Sequence, residues 1–89
     1  MYKIVKKEVL APNITRFSVE APDVAKSRKP GQFVVIRAEE TSERVPLTIV
    51  DSDPEKGTID LIIQDAGFST HCISCYEMGD GFLDVLGPL

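Results

Sequence analysis

Two short segments carry residue types suited to ligand chemistry. The first is Arg44-Val45-Pro46-Leu47-Thr48. A proline at the start of a strand has no N–H for the ladder, so nearby backbone is freed from pairing and the strand begins at an edge, a bulge or a ligand-facing gap. A hydroxyl two residues later can point into that gap, and an arginine just outside can reach an anion. The second is Gly67-Phe68-Ser69-Thr70, placed where a helix begins. Free amides, two hydroxyls and the positive end of the helix dipole suit a phosphate there, and a glycine lets the backbone approach closely. The plainer readings are an edge-strand proline and an ordinary helix start capped by Ser69 or Thr70. A third segment, His71-Cys72-Ile73-Ser74-Cys75, sets two thiols one helical turn apart. These read most simply as small buried side chains on an apolar helix face. A zinc half-site completed by another chain and a redox dithiol are the alternatives. His71 has no spaced partners for a zincin-type site, no Ser/His/Asp order stands out, and neither a GxGxxG nor a Walker loop is present.

The elements that must position these residues are short strands separated by turn signals. Residues 2–10 and 13–20 form a hairpin across Ala11-Pro12, and in the second strand Thr15, Phe17 and Val19 alternate with Arg16, Ser18 and Glu20, the period of a half-buried strand. Residues 21–31 are a Pro- and Lys-rich connection with room for one helical turn, closing on Pro30-Gly31. Strands follow at 32–38, at 45–50 and, after the Asp53–Gly57 turn, at 58–64. A helix spans roughly 68–77, and after the Met78–Gly81 turn a sixth strand covers 82–86. Six strands and one helix place the chain in the all-β class, as a small antiparallel barrel or sandwich.

Size and charge exclude whole classes of function. With 89 residues the chain is one small domain, too short to hold a complete second nucleotide-binding domain. Its net charge of −4 is uneven: residues 1–50 carry nine basic and six acidic groups, while residues 51–89 carry Lys56 against eight acids. Without a basic excess or stripe, bulk nucleic-acid binding is not expected. No segment approaches the roughly 20 apolar residues of a membrane span, and the N-terminus lacks the apolar run of a signal peptide. The expected location is the cytoplasm. Two cysteines so close together do not make a disulfide framework.

In this order, the motifs resemble those of the N-terminal flavin-binding barrel of the ferredoxin–NADP(+) reductase superfamily. The nearest likeness is to its small flavoprotein subunits, the dihydroorotate dehydrogenase electron-transfer subunit and the sulfide dehydrogenase or NADH-dependent ferredoxin:NADP oxidoreductase subunit. Lys29-Pro30-Gly31-Gln32-Phe33 matches the PGQF element that opens the third strand. Arg44 to Thr48 matches the R-x-x-S/T flavin motif in an R-x-P-L-T variant. Gly67-Phe68-Ser69-Thr70 matches the G-x-x-S/T phosphate motif, and Gly79-Asp80 with Gly87-Pro88-Leu89 matches the GD…GPL ending. The likeness runs over nearly the whole chain.

The resemblance implies a six-stranded antiparallel Greek-key barrel, residues 1–89, that binds FAD. Pro46, Leu47 and Thr48 would line the isoalloxazine ring, with the Thr48 hydroxyl near N5. Ile62, Ile63 and Gln64 would pass the ribityl and adenine side, and Gly67, Phe68, Ser69 and Thr70 would hold the pyrophosphate. Arg44 would neutralise phosphate charge. Many relatives carry that arginine at the position of Val45, so Arg44 is expected on the opposite strand face unless Pro46 makes a bulge. The implied activity is electron transfer between a pyridine nucleotide and an iron–sulfur partner, either a large oxidoreductase subunit or ferredoxin, with no catalytic acid or base in the barrel. The family's chains continue into pyridine-nucleotide-binding and iron–sulfur segments. The 89 residues alone are therefore expected to be a truncated domain that holds flavin weakly and does not turn over. The competing expectation is a barrel without flavin that serves as a protein-interaction module, dimerising with a second copy.

Overall fold

The computed structural model describes all 89 residues. Seven strands and two short helices run in the order β1 (Tyr2–Ala11), β2 (Ile14–Glu20), α1 (Pro22–Ser27), β3 (Phe33–Arg37), β4 (Val45–Asp53), β5 (Thr58–Gln64), α2 (Phe68–Ser74), β6 (Gly81–Phe82) and β7 (Asp84–Leu86). They pair antiparallel in one sheet of order β6-β1-β2-β5-β4-β3-β7. The two ends of that sheet, β6 and β7, are separated in the chain by Leu83 alone, so the sheet rolls into a nearly closed Greek-key barrel. The expected sixth strand is thus two strands: Tyr2 pairs with Phe82, whereas Ile36 pairs with Val85. A break at Leu83, whose N–H donates to Ala38 at 3.2 Å, lets one segment serve both edges. The 21–31 connection holds α1, and α2 stops at Ser74, short of the expected 77.

Alternation decides what faces inward. In β2, Thr15, Phe17 and Val19 are buried, and in β5 Ile59, Leu61 and Ile63 are buried. All of these but Thr15 join Ile4, Val34, Ile36, Leu47, Ile49 and Phe82 in one core of 17 buried residues. Phe17 and Phe82 pack edge to face at 6.3 Å between ring centres, a favoured aromatic geometry. α1 closes one end of the barrel with Val24 and Ala25, and α2 buries Ile73. Outside the barrel, Asp60 takes two bonds from Arg16 (3.0 and 2.6 Å) and one from Ser18 (2.7 Å), tying β2 to β5. The same bond holds the Arg16 guanidinium above its ordinary pKa. Arg37 binds Asp84 across β3 and β7.

Curvature comes from three irregularities. Extra residues fall at Val5 and Leu10 of β1 and at Val50 of β4, where Ile49 faces Leu61 but Asp51 faces Asp60. Such bulges bend a strand and raise its local twist, as closing a small barrel requires. The hairpin β4–β5 turns on Asp53, whose Oδ1 accepts from the N–H groups of Glu55 and Lys56. Gly57 then takes φ +71° with Pro22 only 3.2 Å from where a Cβ would stand, so this position suits glycine on both counts.

Candidate flavin site

Above the Val50 bulge, β4 and β5 part company. Ile49 is the last β4 residue paired with β5. Val45 to Thr48 pair with β3 alone, and Ile62 to Gln64 pair with β2 alone. Pro46 therefore sits inside a seven-strand sheet without breaking a ladder, because the β5 side of this stretch has no ladder to break. The gap expected from the proline is present.

Exposure alternates through the first motif: Arg44, Pro46 and Thr48 are exposed, Val45 is half-buried and Leu47 is buried. The β3–β4 register is continuous from Phe33–Thr48 to Ile36–Val45, with no bulge at Pro46. Arg44 accordingly shares the outer face with Pro46 and Thr48, since side chains two and four apart lie on one side of a strand. Arg37, Arg16 and Arg28 each donate a side-chain hydrogen bond within the chain, and Arg44 alone of the four arginines does not. The Thr48 hydroxyl likewise has no partner among the side-chain hydrogen bonds.

Leu47 and Ile63 point into the core, with Ile63 fully buried. Only their backbone is available to a ligand. Ile62 is half-buried on the outer face of β5, and Gln64 is exposed at its end.

Four residues after Gln64 the chain enters α2. The helix starts at Phe68 with Gly67 as its cap and no side-chain cap bond, so neither Ser69 nor Thr70 caps it. Thr70 Oγ1 instead accepts from the Ala66 N–H at 3.0 Å and donates to the Gly67 carbonyl at 3.2 Å. Its hydroxyl closes the turn that presents the helix. The amides of Phe68, Ser69 and Thr70 find no acceptor in the chain, whereas the His71 amide already reaches Gly67, as the geometry of a first helical turn demands. Phe68 projects outward, 85% exposed.

The two motifs meet through a residue that neither contains. Ser69 Oγ donates to Glu43 Oε2 at 2.9 Å, across 26 positions of sequence. Glu43 precedes Arg44, so this bond sets the start of β4 beside the start of α2. A cleft of about 560 Å³ opens there, lined in part by Glu43, Phe68, Ser69, Cys72 and Tyr76. Tyr76 stacks on Phe82 at 5.5 Å and reaches Glu39; desolvation, then the nearby carboxylate, raises its phenol pKa. The roles of Glu43 and Tyr76 left no trace in the sequence, because a polar loop residue and a helix-end tyrosine look ordinary until the fold brings them together.

Cys72 and Cys75 are both exposed thiols, which overturns the expectation that they fill the apolar helix face. Only Ile73 of that segment is buried. Asp80 closes the turn before β6, its Oδ2 accepting from the Glu77 N–H at 2.7 Å.

The model for the oxidoreductase FAD-binding domain matches residues 1–89. The chain belongs to this FAD-binding domain family. It is 45% identical over 87 residues to a Thermotoga maritima homologue of the electron transfer subunit of dihydroorotate dehydrogenase B (NAD(+)), covering 98% of this chain and 31% of that protein. An uncharacterised Clostridium beijerinckii protein encoded 3′ of adh is 49% identical over 89 residues, covering 100% of this chain and 30% of that protein. A solved structure of NADH-dependent reduced ferredoxin–NADP oxidoreductase, from work on flavin-based electron bifurcation, superposes with a TM-score of 0.96 at 43% identity, over 99% of this chain and 32% of that one. The cytochrome b5 reductase domain of Ulva prolifera nitrate reductase shares the fold at TM-score 0.78 and 19% identity. The FAD-binding domain thus spans about a third of the length of the relatives it matches. No helix is long and apolar enough to cross a membrane.

The residues present fit FAD. The parted strands offer an apolar and hydroxyl-bearing wall, Arg44 is an uncommitted cation, and three amides at the start of α2 await acceptors. One feature opposes it, since the Glu43 carboxylate lies against Ser69 where an anion would approach.

Proposed function

We propose that this FAD-binding domain seats the flavin of an electron-transfer subunit that moves electrons between a pyridine nucleotide and an iron–sulfur partner. The observation that carries the reading is the parting of β4 and β5 above Ile49 and Leu61, which leaves Pro46 and Thr48 unpaired on the β5 side, while the Glu43–Ser69 bond holds the start of β4 beside the start of α2. The names of the related proteins support the electron route. FAD, when bound, supplies the chemistry: it accepts two electrons at N5 and releases them one at a time.

The chain's own part is binding and orientation. Pro46 gives one face of the ring a rigid apolar contact. The Thr48 hydroxyl, free of internal partners, hydrogen-bonds at the ring edge and tunes it. Ile62 and Gln64 border the ribityl side. The amides of Phe68, Ser69 and Thr70 take the pyrophosphate oxygens, and Arg44 offsets their charge across the opening. Ser69 contributes its hydroxyl once Glu43 is displaced. Thr70 acts as a positioning residue, since its hydroxyl holds the turn. No acid or base is required from the barrel. A large subunit or a ferredoxin takes the electrons, and the pyridine nucleotide is met outside this barrel.

Fluorescence titration with FAD, FMN and riboflavin tests the reading. FAD should bind most tightly and riboflavin least, because only FAD carries both the pyrophosphate and the adenosine. The 89-residue chain supplies one wall of the site, so the FAD dissociation constant should lie in the micromolar range. If no flavin is quenched at high micromolar concentration while the chain self-associates, the barrel is an interaction module and the proposal is wrong.

A further inference from the structure

The end of α2 carries a second constellation, apart from the parted strands. Cys75 Sγ lies 3.8 Å from His71 Nε2, and His71 Nδ1 lies 2.7 Å from Asp65 Oδ2. Asp65 is held by its own amide, which donates to the Asn13 carbonyl at 2.8 Å. A carboxylate only accepts, so in the neutral imidazole Nδ1 carries the proton and Nε2 presents its lone pair to the thiol. This is the carboxylate–imidazole–nucleophile order by which an oriented base activates a weak nucleophile. A second exposed thiol, Cys72, stands three positions earlier on the helix, on the same side by helical geometry. Of these residues only Cys72 borders the cleft beside Ser69; Arg44, Pro46, Thr48 and Ser69 take no part.

We propose that Cys75 is a thiol–disulfide exchange site for small disulfides, with Cys72 as its resolving thiol. His71 Nε2 takes the Cys75 proton. The thiolate attacks one sulfur of the small disulfide, the S–S bond breaks, one thiolate leaves and takes up a proton, and Cys75 carries the mixed disulfide. Cys72 gives its proton to solvent and attacks the Cys75 sulfur, expelling the second thiolate. One small disulfide is reduced to two thiols while Cys72 and Cys75 are oxidised to one internal disulfide, a balanced two-electron exchange. Closing that bond draws two side chains from about 5–6 Å apart to about 4 Å between Cβ atoms. Cys75 can make the move because it is the C-cap, flanking the helix from outside.

The test is stopped-flow reaction of the reduced chain with the chromogenic disulfide dithiobis(nitrobenzoate). The Cys72→Ser variant, which reports Cys75, should react about tenfold faster than Cys75→Ser, which reports Cys72, because an unassisted thiol is only a few per cent thiolate at neutral pH. Adding His71→Gln or Asp65→Asn should slow Cys75 toward the Cys72 rate and leave Cys72 itself unchanged, a split that general loosening of α2 would not produce. One equivalent of reagent should release two nitrobenzoate thiolates and leave a protein lighter by two hydrogens. Equal rates for the two thiols would overturn the proposal. So would an equal effect of His71→Gln on both, or adducts on both cysteines with no internal disulfide.

Discussion

At the scale of single residues, the site contains both an attraction and an obstacle for phosphate. Arg44 is exposed, unpaired within the chain and on the face of Pro46 and Thr48. Arg44→Ala should weaken FAD about three- to tenfold and flatten the salt dependence of binding, as loss of a partly screened charge contact implies. Titrations at low and physiological salt check both. Glu43 acts in the opposite sense. Its carboxylate accepts from Ser69, occupying the hydroxyl and repelling an incoming anion. With the exposed carboxylate screened as in bulk water, such repulsion at about 4 Å amounts to about 1 kcal/mol, so Glu43→Gln should tighten FAD several-fold while leaving riboflavin binding unchanged. Weaker FAD binding by the glutamine variant would show instead that Glu43 organises the site.

At the scale of elements, the turn into α2 and the parting of β4 from β5 do the positioning. Thr70 bridges the Ala66 amide and the Gly67 carbonyl. Thr70→Val keeps the shape and removes both bonds, which should cost about 1 kcal/mol and speed amide exchange at residues 66–71 before any other part of the chain. Much of this level was legible in the sequence. Pro46 announced an edge, a bulge or a gap, the period-2 run Thr15–Val19 announced an inward face, and Gly67 marked the helix start. Other features were hidden because they depend on distant chain. The break at Leu83 between β6 and β7 follows from the competing edges of β1 and β3, and a local pattern in Phe82–Leu86 cannot show it. The placement of Arg44 turned on the unbroken β3–β4 register, which only the pairing reveals. Leu47 lies in the flavin motif and Ile63 is implied by the resemblance, yet both belong to the core, because a likeness specifies positions along a strand while the barrel decides which face is inside.

At the scale of the whole molecule, a 17-residue core holds the opening in shape. Phe17 is fully buried at its centre against Phe82. Phe17→Ala should cost about 3–5 kcal/mol, a large share of the stability of a domain this small, and urea unfolding monitored by circular dichroism should show it. The charge asymmetry also acquires a meaning at this scale. The half of the chain that holds the α2 amides carries a single lysine, so under the proposed function phosphate recognition there would fall to backbone donors, with Arg44 brought in from the other half. Entry of FAD where β4 and β5 separate is visible most directly in backbone amide NMR during FAD titration. Shifts should concentrate at residues 44–48, 62–64 and 66–71, with the Asp53–Gly57 turn at the far end of the β4–β5 hairpin unmoved. Shifts centred on that turn, with residues 44–48 silent, would contradict it.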